Sequence, residues 1–77
     1  MNLAEIRVGH RARVISVDGQ DRISTRLKEM GVVPGAEVTV VKSAPFGDPV
    51  QLRLMGYSLA VRLSEARAVS VEEIPTV

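Results

Sequence analysis

The sequence predicts a small, mainly β domain: five short strands curled into a barrel, with one short α-helix between the first two. Three observations carry this expectation. Short runs of alternating apolar and polar residues recur, separated by Gly, Pro, Asp and Ser. One stretch, at about 21–30, combines helical period with a recognisable stop. The chain has 77 residues, 45% of them apolar but only 3% aromatic, so a single core must be built from Val, Leu, Ile and Met.

At the N-terminus, Asn2-Leu3-Ala4-Glu5 has the form of a capping box, with Asn2 at the cap and Glu5 three residues on. It nucleates one short turn only, because Val8 is β-branched and Gly9 breaks the pattern. Leu3 and Ile6 plug one end of the core. From His10 to Asp18 the chain reads as a strand, with Arg11, Arg13, Ile15 and Val17 alternating against Ala12, Val14 and Ser16. Neither set is cleanly apolar, as expected where a bulge or a sharp twist changes a strand's facing. Asp18-Gly19 is a turn signal.

The predicted helix carries an apolar stripe of Ile23, Leu27 and Met30, and exposes Arg22, Thr25, Arg26, Lys28 and Glu29. Arg26 with Glu29 reads as a surface ion pair worth well under about 1 kcal/mol. Gly31 follows the stripe where a helix commonly ends on a left-handed residue. Pro34-Gly35 then supplies the fixed φ and the positive φ of a type II turn. Arg26 to Gly35 therefore converts a helix into a sheet within ten residues, with Gly31, Pro34 and Gly35 in structural roles.

The second strand alternates Ala36, Val38 and Val40 against Glu37, Thr39 and Val41. Ser43 to Pro49 is a loop by composition and holds the one Phe. Val50, Leu52 and Leu54 alternate with Gln51, Arg53 and Met55, and Gly56 makes a tight return. Leu59, Val61 and Leu63 then alternate with Ser58, Ala60 and Arg62, giving a β-hairpin whose turn type stays open. Ser64-Glu65-Ala66 reads as a serine-capped 3₁₀ turn, and Ala68 to Val71 as the last strand. Glu72 to Val77 reads as a polar tail broken by Pro75. The expected organisation is one domain over 1–72 and a short tail over 73–77. A barrel of this size is marginal alone, so dimerisation or docking is compatible with it.

Composition narrows function. Ten basic against nine acidic side chains leave a net charge of +1, so no overall field draws in phosphate. The absence of cysteine excludes disulfides, thiolate metal sites and cysteine catalysis. No apolar run approaches a membrane span and no signal-peptide layout opens the chain, which predicts a soluble, cytoplasmic protein without membrane insertion. His10 is the one histidine and has no positioned carboxylate beside it in sequence, and no glycine-rich phosphate loop is present. No catalytic set is expected, and the protein reads as a non-enzyme without a cofactor. Asp18 with Asp21 and Glu72 with Glu73 lack a metal-site pattern and read as surface charges. A divalent metal held between molecules with His10 as one ligand stays open.

The chain resembles the FeoA family of small cytosolic proteins of bacterial ferrous-iron uptake. The resemblance runs from Leu3 to Val71. It rests on Leu3 through Gly9, on Arg26-Leu27-x-Glu29-Met30-Gly31-x-x-Pro34-Gly35, on Pro45-x-Gly47-Asp48-Pro49, and on Gly56-x-x-Leu59-Ala60-x-Arg62-x-x-Glu65-Ala66. It implies an SH3-like barrel that acts by binding FeoB, the membrane iron transporter with a cytosolic GTP-binding domain. A similar domain closes some iron- and manganese-dependent repressors, but this chain has no room for their DNA-binding helices. The rival class is a nucleic-acid-binding or regulator-type barrel. Against nucleic acid stand nine acidic residues and two aromatics without basic–aromatic interleaving.

The candidate partner-binding residues are Arg26, Glu29, Phe46, Met55 and Tyr57. Phe46 and Tyr57 either anchor a partner or, in the alternative, fold over the barrel end and cap the hairpin. Met55 adds an adaptable apolar side chain beside Tyr57. Gly56 joins Gly31, Pro34 and Gly35 as a structural turn residue.

Overall fold

The computed structural model of the chain describes residues 1–19 and 21–75. Five strands, β1 (Arg11–Val17), β2 (Glu37–Ser43), β3 (Val50–Leu54), β4 (Tyr57–Val61) and β5 (Val69–Ile74), form one antiparallel sheet in the order β4-β3-β2-β1-β5. The sheet curls into a small SH3-like barrel that stays open between β4 and β5. One helix, α1 (Arg22–Glu29), lies between β1 and β2, as the sequence predicts.

The barrel's curvature comes from two irregularities. The β1–β5 register shifts between Val14 and Ser16, and the β2–β3 register shifts between Val40 and Lys42. Ile15 stays exposed in line with Arg11 and Arg13, and the first shift brings Val17, which strict alternation would put beside them, into the core with Val14. This is the physical origin of the broken alternation in β1. Leu3 and Ile6 close one end of the aliphatic core, with Leu52, Val61, Val69 and Val71 at its centre. The turn that carries Leu3 holds both halves of its capping box. Asn2 Oδ1 accepts from the Ala4 N–H at 2.9 Å, and Glu5 Oε1 accepts from the Asn2 N–H at 2.8 Å.

Helix α1 begins at Asp21, whose carboxylate accepts the Ser24 N–H at 2.9 Å. Its end is a Schellman motif: the Val32 N–H donates to Leu27 C=O at 2.9 Å and the Gly31 N–H to Lys28 C=O at 3.1 Å. Gly31 sits at φ +100°, the left-handed conformation this motif needs. The type II turn follows, with Ala36 N–H donating to Val33 C=O at 3.0 Å and Gly35 at φ +91°. Gly35 N–H also donates to Val14 C=O, and Val14 N–H to Ala36 C=O, both at 2.8 Å. The turn is thereby stitched onto β1.

Four expectations are corrected. The inward line of α1 is Ser24 and Leu27, not Ile23, Leu27 and Met30; Ile23 is 44% and Met30 36% exposed. The Ser24 hydroxyl donates to Asp18 C=O at 2.8 Å, and that bond rotates the helix onto its serine side. The strand after the hairpin ends at Val61, and Leu63 instead starts a short helix, α2 (Leu63–Ala66). The cap of α2 is Arg62 rather than Ser64, with Glu65 accepting the Arg62 N–H at 2.7 Å. Finally, β5 continues to Ile74, because Glu72 and Glu73 face Arg13 and Ala12 of β1 in the ladder instead of starting a frayed tail.

Candidate partner-binding surface

The hairpin joining β3 and β4 is the most unusual local structure. Leu54 pairs with Tyr57, so only Met55 and Gly56 form the turn, at φ 50° and φ 84°. Positive φ at both central residues defines a type I′ turn, which matches the right-handed twist of the strands. Gly56 meets this requirement freely. Met55 does not: it is the single positive-φ residue other than glycine among the described residues, and its side chain lacks the local hydrogen bonding by which Asn or Asp tolerates that region. It is also 85% exposed. A large apolar side chain in an unfavourable backbone state and open to water contributes nothing to the core.

Met55 does not stand alone. A side-chain carbon placed on Gly31 would lie 3.4 Å from the Tyr57 hydroxyl and 3.8 Å from the Met55 sulfur. The hairpin tip therefore leans on the end of α1. Met30 and Val33, close to Gly31 in the chain, and Met55 and Tyr57, which approach it from the hairpin, are all at least one-third exposed. Four apolar side chains thus gather where the helix end meets the hairpin. Met55 and Tyr57 were sequence candidates; Met30 and Val33 were not. Met30 looked like core because its spacing fits a helical stripe. Val33 carries no apolar periodicity, since it stands between the Gly31 stop and Pro34.

The other candidates fare differently. Arg26 does not pair with Glu29. Its Nη2 lies 3.3 Å from Oε2 and 3.4 Å from Oε1 of Glu65, which is buried. The reason is tertiary: α2 delivers a carboxylate to the helix face where Arg26 projects. Glu29 is exposed and has no ion-pair partner among the described residues. The backbone of Phe46 lies in a 3₁₀ turn, Pro45–Gly47, but its side chain is outside what the structure describes.

The outer face of β2, β1 and β5 carries a charge ladder. Arg11 pairs with Glu37 at 3.3 Å, and Arg13 bridges Glu37 at 3.6 Å and Glu72 at 3.0 Å. His10 Nδ1 lies 3.0 Å from Glu73 Oε2. Two of the arginines that a nucleic-acid surface would need are thus matched by carboxylates. Of the two carboxylate pairs weighed for metal, Glu72 and Glu73 are occupied in this ladder, and Asp21 is the α1 cap. The Ser24 backbone N–H holds the Asp21 carboxyl below its ordinary pKa. No three of His, Asp and Glu converge among the described residues.

Comparison with known proteins places this geometry among relatives. The FeoA domain family model matches residues 1–73. A fusion protein of Fe(2+) transport protein A and Fe(2+) transporter FeoB, from Porphyromonas gingivalis, is 39% identical over 74 residues. That match covers 96% of this chain and 9% of the fusion protein, so the chain spans a small part of that relative. Among solved structures, the FeoA protein of Chlorobium tepidum superposes with a TM-score of 0.91 at 36% identity, covering 97% of this chain and 71% of that one. The Stenotrophomonas maltophilia FeoA, a zinc complex described as a procaryotic SH3 domain protein, gives 0.83 at 37% identity, covering 94% and 89%.

Proposed function

Because this chain belongs to the FeoA family, we propose that it is a non-enzymatic cytoplasmic accessory of ferrous-iron uptake that binds the cytosolic GTP-binding region of a FeoB-type transporter. The observation that carries this reading is the Porphyromonas gingivalis fusion, in which a similar domain and a FeoB transporter share one chain. Covalent linkage holds two modules at an effective concentration on the order of millimolar for short linkers. A domain that is not so linked would have to reach the same proximity through a binding surface.

The patch of Met30, Val33, Met55 and Tyr57 is that surface in this reading. It is apolar and adaptable, it lies apart from the paired charges of the β2-β1-β5 face, and Met55 holds an unfavourable φ there. Strain of this kind concentrates at sites of function. The iron connection runs through the partner and not through ligands on this chain. Capture of the detergent-solubilised transporter on the immobilised chain tests the proposal. Retention by the parent and loss with Tyr57→Ala, both folded, supports it; equal retention by an unrelated small barrel contradicts it.

A further inference from the structure

The two free edges of the sheet are treated differently. The β5 edge is blunted: Asn2 bridges Ser70, the Val71 N–H donates to Met1 C=O at 2.9 Å, and Glu72 and Glu73 place charge along the strand. These are the usual protections against a foreign strand. The β4 edge has none of them. Tyr57-Ser58-Leu59-Ala60-Val61 carries no charge and no proline, and its register with β3 is unbroken from Leu54↔Tyr57 to Val50↔Val61.

The two-residue turn fixes which backbone groups are free. It makes Leu54 and Tyr57 a hydrogen-bonded pair, and the alternation of an antiparallel ladder then assigns Leu52–Leu59 and Val50–Val61 to the same class. Ser58 and Ala60 consequently aim their N–H and C=O groups away from β3. Both residues are exposed, and neither has a backbone partner outside the sheet among the described residues.

We propose that the outer edge of β4 is a docking site for an extended, acidic segment of a partner protein, which adds to the sheet as a sixth strand. Charge selects the occupant. From Pro49 to Ser64 the chain has no acidic residue, while Arg53 lies across from Ser58 and Arg62 follows the strand. Both arginines are exposed, and neither meets a carboxylate among the described residues. The two acids that flank this stretch are both engaged: Asp48 accepts the Leu63 N–H at 3.0 Å, and Glu65 accepts the Arg62 N–H at 2.7 Å and pairs with Arg26. Ser58 and Ala60, the exposed residues of β4 nearest Arg53 in the ladder, are both small.

Beside Ala60 an open groove of about 310 Å³ is lined by Lys42, Gln51, Pro45 and Pro49, bringing a third cation to the same face. Alternate residues of an added strand stand roughly 7 Å apart on one face. Acidic side chains at three successive alternate positions would meet Arg53, the Lys42 groove and Arg62 in turn. A second copy of this chain fits less well. Two-fold pairing about Leu59 would bring the Arg53 and Arg62 side chains of both copies together, like charge against like. The inference goes beyond the transporter reading and does not depend on it.

The probe is a blocked nine-residue peptide alternating glutamate and valine, titrated into the chain and followed by amide NMR shifts and hydrogen exchange. Saturable shifts and new protection centred on Ser58 and Ala60 are expected, weakening with added salt. The same peptide with lysine for glutamate should bind about tenfold more weakly or worse. Ala60→Pro should abolish binding and keep the fold, since the Ala60 N–H is not used in the ladder. Arg53→Glu with Arg62→Glu should reverse the peptide preference, which covers the case of a misfolded proline variant. Equal binding of both peptides, binding unchanged by either variant, no binding of either peptide, or a dimer that buries Ser58 and Ala60 overturns the proposal.

Discussion

The Arg26 guanidinium, on the exposed side of α1, reaches 3.3 Å from the buried carboxylate of Glu65 in α2, thirty-nine positions further along the chain. Glu65 simultaneously accepts the Arg62 N–H at 2.7 Å, so one carboxylate both caps α2 and ties it to α1. Arg26 and Glu65 lie in two of the separate stretches on which the family resemblance rests. The structure supplies a physical reason for that: together they hold the helix, and with it the Gly31 stop, against the barrel.

Glu65→Ala removes both contacts and should cost about 2 kcal/mol of stability, from a lost cap and a lost charge-assisted bond. Arg26→Ala should cost less, about 1 kcal/mol or below, because half of the Arg26 side chain is in water and the pair is screened there. Thermal melts of both variants measure the order. A larger effect for Arg26→Ala would reverse the assignment.

Gly31→Val should damage the fold itself. The residue holds φ +100° and its N–H closes the Schellman motif. The left-handed region costs an ordinary residue about 1–2 kcal/mol, and a β-branched one more. An added side-chain carbon would find only ordinary contacts, at 3.4 Å to Tyr57 and 3.5 Å to Leu54, so the penalty is conformational. A circular dichroism melt equal to the parent's would contradict the motif.

Met55→Asn should separate stability from binding. Asn is at ease at φ 50° in a type I′ turn, so the variant should gain about 0.5–1 kcal/mol. The same substitution removes the most exposed apolar side chain of the patch and should weaken partner binding. A melt shifted upward together with unchanged affinity would remove Met55 from the interface.

Asp21 sets an acid limit. Its carboxyl is held below its ordinary pKa in the folded state, chiefly by the Ser24 N–H. The stabilisation is therefore fully present above the ordinary carboxyl range and is lost as pH falls through the lower folded value. Asp21→Asn keeps a capping side chain but no charge, and its unfolding profile should be flatter with pH on the acid side than the parent's. Identical acid limbs would exclude this contribution.

How much of this was legible in the sequence follows from the range of the interactions. The Gly31 stop and the Pro34-Gly35 turn were readable because each depends on local backbone geometry that only certain residues adopt. The broken alternation of β1 signalled a change of facing, whose place and kind came from the register with β5. The facing of α1 was not, since Ser24 is buried by a bond to the Asp18 carbonyl that no helical period encodes. The partner of Arg26 was misassigned to Glu29 because sequence offers only near neighbours, and Glu65 arrives through the fold. Glu72 and Glu73 looked like a solvated tail until pairing with β1 brought Arg13, and His10 just before that strand, within reach of their carboxylates. At the candidate surface, Met55 and Tyr57 were visible as apolar residues at a hairpin tip. Met30 and Val33 joined them only once the helix end and the hairpin met at Gly31.

The central claim is that this chain works by binding the transporter. Its most direct test is a calorimetric titration against the cytosolic GTP-binding region of the cognate FeoB, run without nucleotide, with GDP and with a non-hydrolysable GTP analogue. The account predicts saturable one-to-one binding that changes with nucleotide and weakens in Met55→Asn. Absence of binding in every nucleotide state, and to the intact transporter in membranes as well, would contradict it.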